Sequence, residues 1–144
     1  FVLTDGTVVG RHDGFERFTV GQRKGLGLAF REPRYVVRIE ADTRRVVLGT
    51  HEELARSELF AADANWLVRT EDGALITHHS PLATDPAPLT VKIRYRSKPA
   101  EATVKLLPGN RFHVRFHEPC FGVAPGQAAV CYAGDRVLGG GWIE

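Results

Sequence analysis

Gly21-Gln22-Arg23-Lys24-Gly25-Leu26-Gly27 sets two cations and a carboxamide between three glycines, directly after the apolar run Phe18-Thr19-Val20. Glycine tolerates positive φ and lets another backbone come close. Such a segment can aim its N–H groups and its Arg and Lys side chains at one anion. It is not a nucleotide P-loop, because the GxxxxGK[ST] spacing is missing and no Ser or Thr follows Lys24 to hold a metal. A glycine-rich corner with solvated cations is the competing reading of the same seven residues. Other candidates for chemistry are sparse. His113 and His117 have the i, i+4 spacing of a helical metal pair, but they alternate with Phe112, Val114 and Phe116 as in a strand. There, four residues span about 13 Å, whereas one zinc needs both nitrogens at about 2.0–2.1 Å. His78-His79 has no Cys or carboxylate close by, so all four histidines read as solvated and no metal site is expected. Ser57, Ser80 and Ser97 have no nucleophile-elbow context, and no pair of carboxylates has a spacing that suggests acid/base work. No catalytic residue is expected within this stretch.

The chain around these residues has 144 positions, 43% apolar and 25% charged, enough for one ordinary domain or two small ones. A net charge of +2 is too small to imply nucleic acid by itself. No apolar run approaches the ~20 residues of a membrane helix, and no signal peptide is visible, so the expectation is a cytoplasmic protein without membrane contact. There is no methionine, and residue 1 is Phe within an apparent strand, which points to a piece of a longer protein. Cys120 and Cys131, with ten residues between them, fit neither a CxxC pair nor a four-ligand zinc site. Both read as small buried hydrophobes.

The elements that must position these residues are strands. Thr4-Asp5-Gly6-Thr7 between Phe1-Val2-Leu3 and Val8-Val9 predicts a hairpin. Ala41-Asp42-Thr43-Arg44 between Tyr35–Ile39 and Val46–Gly49 predicts a second. His51–Arg56, with early acids, predicts a helical connector of about two turns. From Leu59 onward, strand follows strand, with a polar interval over Thr70–Pro88. Leu89–Arg96 alternates strictly, which puts Val91, Ile93 and Tyr95 on one face and Lys92, Arg94 and Arg96 on the other. Between residues 92 and 115, seven cations face Glu101 alone. The alternation predicts a linear basic stripe suited to a phosphate backbone, or else a charged face guarding an edge strand. Pro125-Gly126-Gln127 reads as a turn, and Gly139-Gly140-Gly141 as a sharp barrel bend or close approach of another backbone. The fold class is mostly β: a small central β-rich module over 1–60, then a six-stranded antiparallel β-barrel over 61–144.

The succession GRHDGFERFTVGQRKGLG, KIRYR, APGQAAVCY and VLGGGWI resembles the C-terminal half of the bacterial-type tRNA-specific 2-thiouridylase family across nearly the whole chain. That resemblance implies an N-terminal ATP-pyrophosphatase domain, a small central domain and a C-terminal barrel. It further implies adenylation of the C2 carbonyl of the wobble uridine and its thiolation from a cysteine persulfide. ATP and Mg would serve the whole enzyme, and tRNA and a sulfur-donor protein would be its partners. The family's SGGxDS-type loop and its two catalytic cysteines are not in this sequence, and Cys120 and Cys131 fall at barrel positions where the family has apolar residues. No cofactor is therefore expected on this stretch, and it should not thiolate alone. The resemblance implies tRNA contacts at Arg94, Tyr95 and Gln127, with Gln22, Arg23 and Lys24 as further candidates. By alternation, Arg94 and Tyr95 point to opposite faces, so a shared role requires a rim or a twist. The alternative is a non-catalytic docking module for a sulfur donor or for the catalytic domain.

Overall fold

The computed structural model describes residues 1–68, 70–71, 74–75 and 89–144. His78-His79, Ser80 and most of the polar interval before Leu89 lie outside the described residues. The chain forms two compact units, Phe1–Ala55 with Phe121–Ala124, and Arg56–Cys120 with Pro125–Glu144.

In the first unit, β1 (Val2–Leu3), β2 (Tyr35–Glu40) and β3 (Arg45–Gly49) make a sheet in the order β1-β3-β2. The second predicted hairpin is β2–β3, antiparallel, with Arg44 turning at φ 54°. The first is a tight loop closed by the single bridge Val2↔Val8, with Asp5 Oδ1 accepting the Thr7 N–H at 2.8 Å. β1 then runs parallel to β3, Val2 opposite Val47. Both faces of the sheet are covered, which is why β2 and β3 carry apolar runs rather than alternation. Val36, Val46 and Leu48 pack with Phe1 and Leu26 on one side. Val37 and Val47 pack with Val2, Val20, Leu54 and Ala124 on the other.

The predicted two-turn helix after Thr50 is a single 3-10 turn, Glu52–Leu54. Thr50 and Glu53 form a reciprocal cap: Glu53 Oε2 accepts the Thr50 N–H at 2.7 Å, and Thr50 Oγ1 accepts the Glu53 N–H at 3.4 Å. The turn stops because β4 (Ala55–Trp66) begins at once. The expected boundary near residue 60 therefore falls inside a continuous strand. Its first residues, Ala55–Glu58, are half-buried or exposed and carry no apolar signal.

The second unit adds a small ladder, β5 (Thr70–Glu71) with β6 (Ala74–Leu75). Its body is a closed six-stranded barrel. Beside β4 stand β7 (Leu89–Lys92), β8 (Ala100–Leu107), β9 (Arg111–Phe121), β10 (Ala128–Ala133) and β11 (Arg136–Ile143), ordered β10-β11-β4-β9-β8-β7. Val91, Phe112, Val114, Ala129, Cys131 and Leu138 fill the interior. Closure demands close backbone approach where β11 crosses β4 and β10. A Cβ on Gly139, whose φ is +142°, would collide with the Asn65 carbonyl oxygen. On Gly141 it would collide with the Ala62 carbonyl oxygen and meet Phe112 Cε1 at 2.9 Å. The triple glycine is thus the close-contact device expected of it.

Candidate nucleic-acid interface

The ladder of β7 ends early. Its partners on β10 run from Ala133↔Leu89 to Val130↔Lys92, and β8 meets it only at Thr90↔Glu101 and Val91↔Ala100. Ile93 still anchors in the interior at 4% exposure, but Arg94–Ser97 then leaves the sheet as a turn. Ser97 closes that turn. Its N–H donates to the Arg94 carbonyl at 3.1 Å, its hydroxyl donates to the same oxygen at 2.8 Å, and it accepts the Arg94 N–H at 3.2 Å. The pairing therefore stops at Lys92 and the alternation predicted over 89–96 at Ile93, and the conflict between Arg94 and Tyr95 goes with it. Tyr95 is 90% exposed instead of facing the core.

Arg94 is half-buried and reaches across the barrel wall. Its Nε donates to Gln127 Oε1 at 3.4 Å, joining residues 33 apart in sequence. Gln127 is fixed by its backbone, since its carbonyl accepts the Ile143 N–H at 2.8 Å while Gly126 donates to the Ile143 carbonyl at 2.8 Å. Gly126 takes φ +79°, the turn expected for Pro125-Gly126-Gln127. Lys92 Nζ stands 5.8 Å from the Tyr95 ring centroid, within cation–π range. Together with Ile93, Ala128, Val130 and Tyr132, these side chains line a groove of about 480 Å³. An exposed phenol face, a guanidinium fork, a carboxamide and an ammonium over an apolar floor are what a splayed single-stranded base and its phosphate require.

The predicted linear stripe does not form, because the strand that was to carry it ends after Lys92. Farther along, Arg111 turns to an acid, holding Glu144 through two nitrogens at 2.9 and 2.5 Å. His113 meets Glu58 at 2.8 Å and stacks on Phe60 at 4.6 Å between centroids, so it is not the solvated side chain expected. His117 lies 3.7 Å from Glu101. Positive charge gathers instead at the end of β7, on Lys92, Arg94, Arg96 and Lys98. No group of three metal-ligating side chains occurs among the described residues. Cys131 is buried and its thiol is pushed up to about 12 by desolvation, which leaves it inert.

In the first unit, the glycine loop turns at Gly21, Gly25 and Gly27, all at positive φ. It is held from inside by Gln22, whose Oε1 accepts the Thr19 N–H at 3.1 Å and whose Nε2 donates to the Lys24 carbonyl at 2.9 Å. The amide of Gln22 shapes the loop, while Arg23 and Lys24 are exposed to solvent.

Comparison with known proteins follows the same division. Residues 56–143 match the family model described as the aminomethyltransferase beta-barrel domain, and residues 1–50 match the tRNA methyl transferase PRC-barrel domain. The chain is 48% identical over 139 residues to the tRNA-specific 2-thiouridylase MnmA of Geobacter metallireducens, covering 96% of this chain and 34% of that protein. Its counterpart in Rhodopirellula baltica is 50% identical over 145 residues, covering 99% and 34%. That of Acidithiobacillus ferrooxidans is 46% identical over 143 residues, covering 99% and 38%. The chain belongs to the tRNA-specific 2-thiouridylase family. It spans about a third of the length of these relatives.

Of the residues that the thiouridylase resemblance singles out, Arg94, Tyr95 and Gln127 come together at one groove, and Gln22, Arg23 and Lys24 sit on a loop of the other unit. Sequence reasoning missed Ser97, whose hydroxyl ties the turn, and Tyr132, which lines the groove. The Arg-x-x-Ser spacing after the last buried residue carried the signal for Ser97, since a serine three residues on can close a turn through its side chain.

Proposed function

We propose that this chain is the tRNA-holding portion of a tRNA-specific 2-thiouridylase. The supporting observation is the convergence of Arg94, Tyr95 and Gln127 on one groove, with Lys92 beside them. Arg94 and Lys92 attract the phosphate backbone and Tyr95 offers its face to an unstacked base. Gln127 holds the guanidinium in place and keeps an amide N–H₂ for a base edge or ribose. Arg23 and Lys24 add cations on the first unit. The remainder of the enzyme, about twice as long as this chain by the coverage of its relatives, carries the ATP-dependent adenylation and the persulfide sulfur transfer and receives the sulfur-donor protein. ATP and magnesium are assigned to that remainder. Among the described residues no helix is long and apolar enough to cross a membrane. A cytoplasmic setting suits a protein that handles tRNA.

The test is equilibrium binding of tRNA to the chain at low salt. Affinity falls as salt rises, and Arg94→Ala weakens binding by roughly tenfold, the scale of one Arg–nucleic acid interaction. Equal affinity of parent and Arg94→Ala would overturn the reading. Binding that ignores salt, with a protein retained in place of tRNA, would favour the docking module instead.

A further inference from the structure

The first unit holds a second gathering of cations that the barrel groove does not use. The glycine loop is a wall between two grooves of that unit, with buried Leu26 lining both. On one side, about 270 Å³ is bounded by Arg11, His12, Asp13 and Arg17, with Gly25 and Gly27 of the loop. On the other, about 240 Å³ is bounded by Arg23, Arg31, Glu32 and Arg34. Five arginines and two carboxylates thus line the two grooves around one turn.

Two further observations point to an anion. His12, which lines the first groove, and Arg34, which lines the second, each carry a buried nitrogen, Nδ1 and Nε, with no hydrogen-bond partner among the described residues. A guanidinium Nε always carries a proton to donate, and a buried donor left unpaired is unfavourable. The Thr7 N–H holds the Asp5 carboxyl, and the Thr50 N–H the Glu53 carboxyl, below the usual carboxylate range, with Arg34 a smaller contributor to both, so its charge is partly balanced while its Nε is not bonded. The loop backbone itself is open. At Gly27 no atom lies within 4 Å of where a Cβ would stand, and at Gly25 the nearest is Gln22 Nε2 at 3.7 Å. Because Gln22 already ties the loop from inside, its backbone need not reorganise to meet a ligand.

We propose that the glycine loop and its two flanking arginine grooves form a second RNA-backbone surface, on the first unit, that takes phosphodiesters on both sides of Leu26. The inference rests on the tRNA-holding reading and adds to it the arginines at 11, 17, 31 and 34. Two grooves separated by a wall suit a polymer carrying phosphates at intervals better than one free anion.

The test uses the whole chain and titrates tRNA across a salt series. Arg11→Gln/Arg17→Gln and Arg23→Gln/Arg31→Gln each remove exposed side chains, and melting temperature checks that the fold is kept. Each pair should lower low-salt affinity roughly tenfold and reduce the slope of log K against log salt by about 1 for each phosphate left without its arginine. The matching Arg→Lys pairs, which keep the charge, should retain the slope. Arg94→Ala is measured in parallel. Weakening by Arg94→Ala alone overturns this surface and spares the barrel groove. Weakening by the two pairs alone overturns the barrel groove and supports this surface. No effect of any variant overturns both. Displacement of tRNA by about 10 mM inorganic phosphate at constant ionic strength would overturn the assignment to a polymer, since non-specific phosphate contact carries little affinity per group. Failure to displace it supports the polymer.

Discussion

The barrel and the first unit keep their shapes by different means. In the barrel every one of the six strands has a neighbour on each side, and the interior is filled by Phe112, Val114, Leu138 and their partners. In the first unit, residues 9–34 contain only one 3-10 turn. Their shape rests on single contacts: Gln22 inside its loop, Gly21 N–H to the Val36 carbonyl, and the edge-on rings of Phe1, His12 and Phe18. A closed ladder leaves few places for an exposed side chain with freedom to bind, and the barrel puts its candidate site where the ladder gives out, after Lys92. The loop-built unit has no such restriction, and its cations are spread around a turn.

The sharpest difference concerns the thiols, both of which belong to the barrel. With its pKa pushed up to about 12 by burial, Cys131 has about one part in ten thousand of thiolate at pH 8. Alkylation of the native chain at that pH should stop at one adduct, on the partly exposed Cys120. Two adducts under native conditions would show that the barrel wall opens.

Next in size are core substitutions, and the two tryptophans, Trp66 and Trp142, report only on the barrel. Phe112→Ala should cost about 3–5 kcal/mol and shift the tryptophan-detected melt. Gly141→Val should cost about as much, because its side chain would have to enter the space of the Ala62 carbonyl and Phe112. Leu48→Ala should cost about 2–5 kcal/mol, read by amide exchange in β2 and β3. An unchanged tryptophan melt in Leu48→Ala would mean that the units unfold separately, and a common shift would mean one transition.

Smaller is the effect on binding of Ser97→Ala. Ser97 does not line the groove itself, so it is a positioning residue for Arg94. Affinity for tRNA should fall about threefold with the salt slope retained, and Ser97→Thr should restore it, since threonine keeps the hydroxyl.

The smallest effect is at the cap of the first unit. The Thr50 N–H, then Thr4 and Arg34, hold the Glu53 carboxyl below the usual carboxylate range. A depressed acid stabilises the fold above its unfolded value and loses that contribution as pH falls through its folded value. Glu53→Gln should therefore melt slightly lower than the parent near neutrality. The two curves should converge in acid, where the parent carboxyl is protonated.

Much of the fold was legible because barrel strands announce themselves by alternation, as Phe112, Val114 and Phe116 do against His113, Arg115 and His117. The triple glycine was legible for the same reason, since only a close approach requires it. The end of β7 was not. Ile93 continues the alternation, and what stops the strand is the loss of partners on β8 together with the hydroxyl of Ser97, neither of which is a pattern along the chain. The parallel pairing of β1 with β3 was hidden likewise, because it joins residues about 45 apart. At the site, the family motifs gave Arg94, Tyr95 and Gln127 their names, but only the turn explains how adjacent residues can serve one groove.

Ala124 belongs to the packed cluster of Val2, Val20, Val37, Val47 and Leu54, and the ring of Phe121 stacks on His51 at 4.2 Å. The finishing pieces of the first unit are therefore encoded after most of the barrel. A ribosome delivers them late, so the N-terminal sheet must wait, with part of its apolar face uncovered, until four of the six barrel strands have been synthesised. Dividing the chain between Ala55 and Arg56 would yield a sheet that never receives its lid.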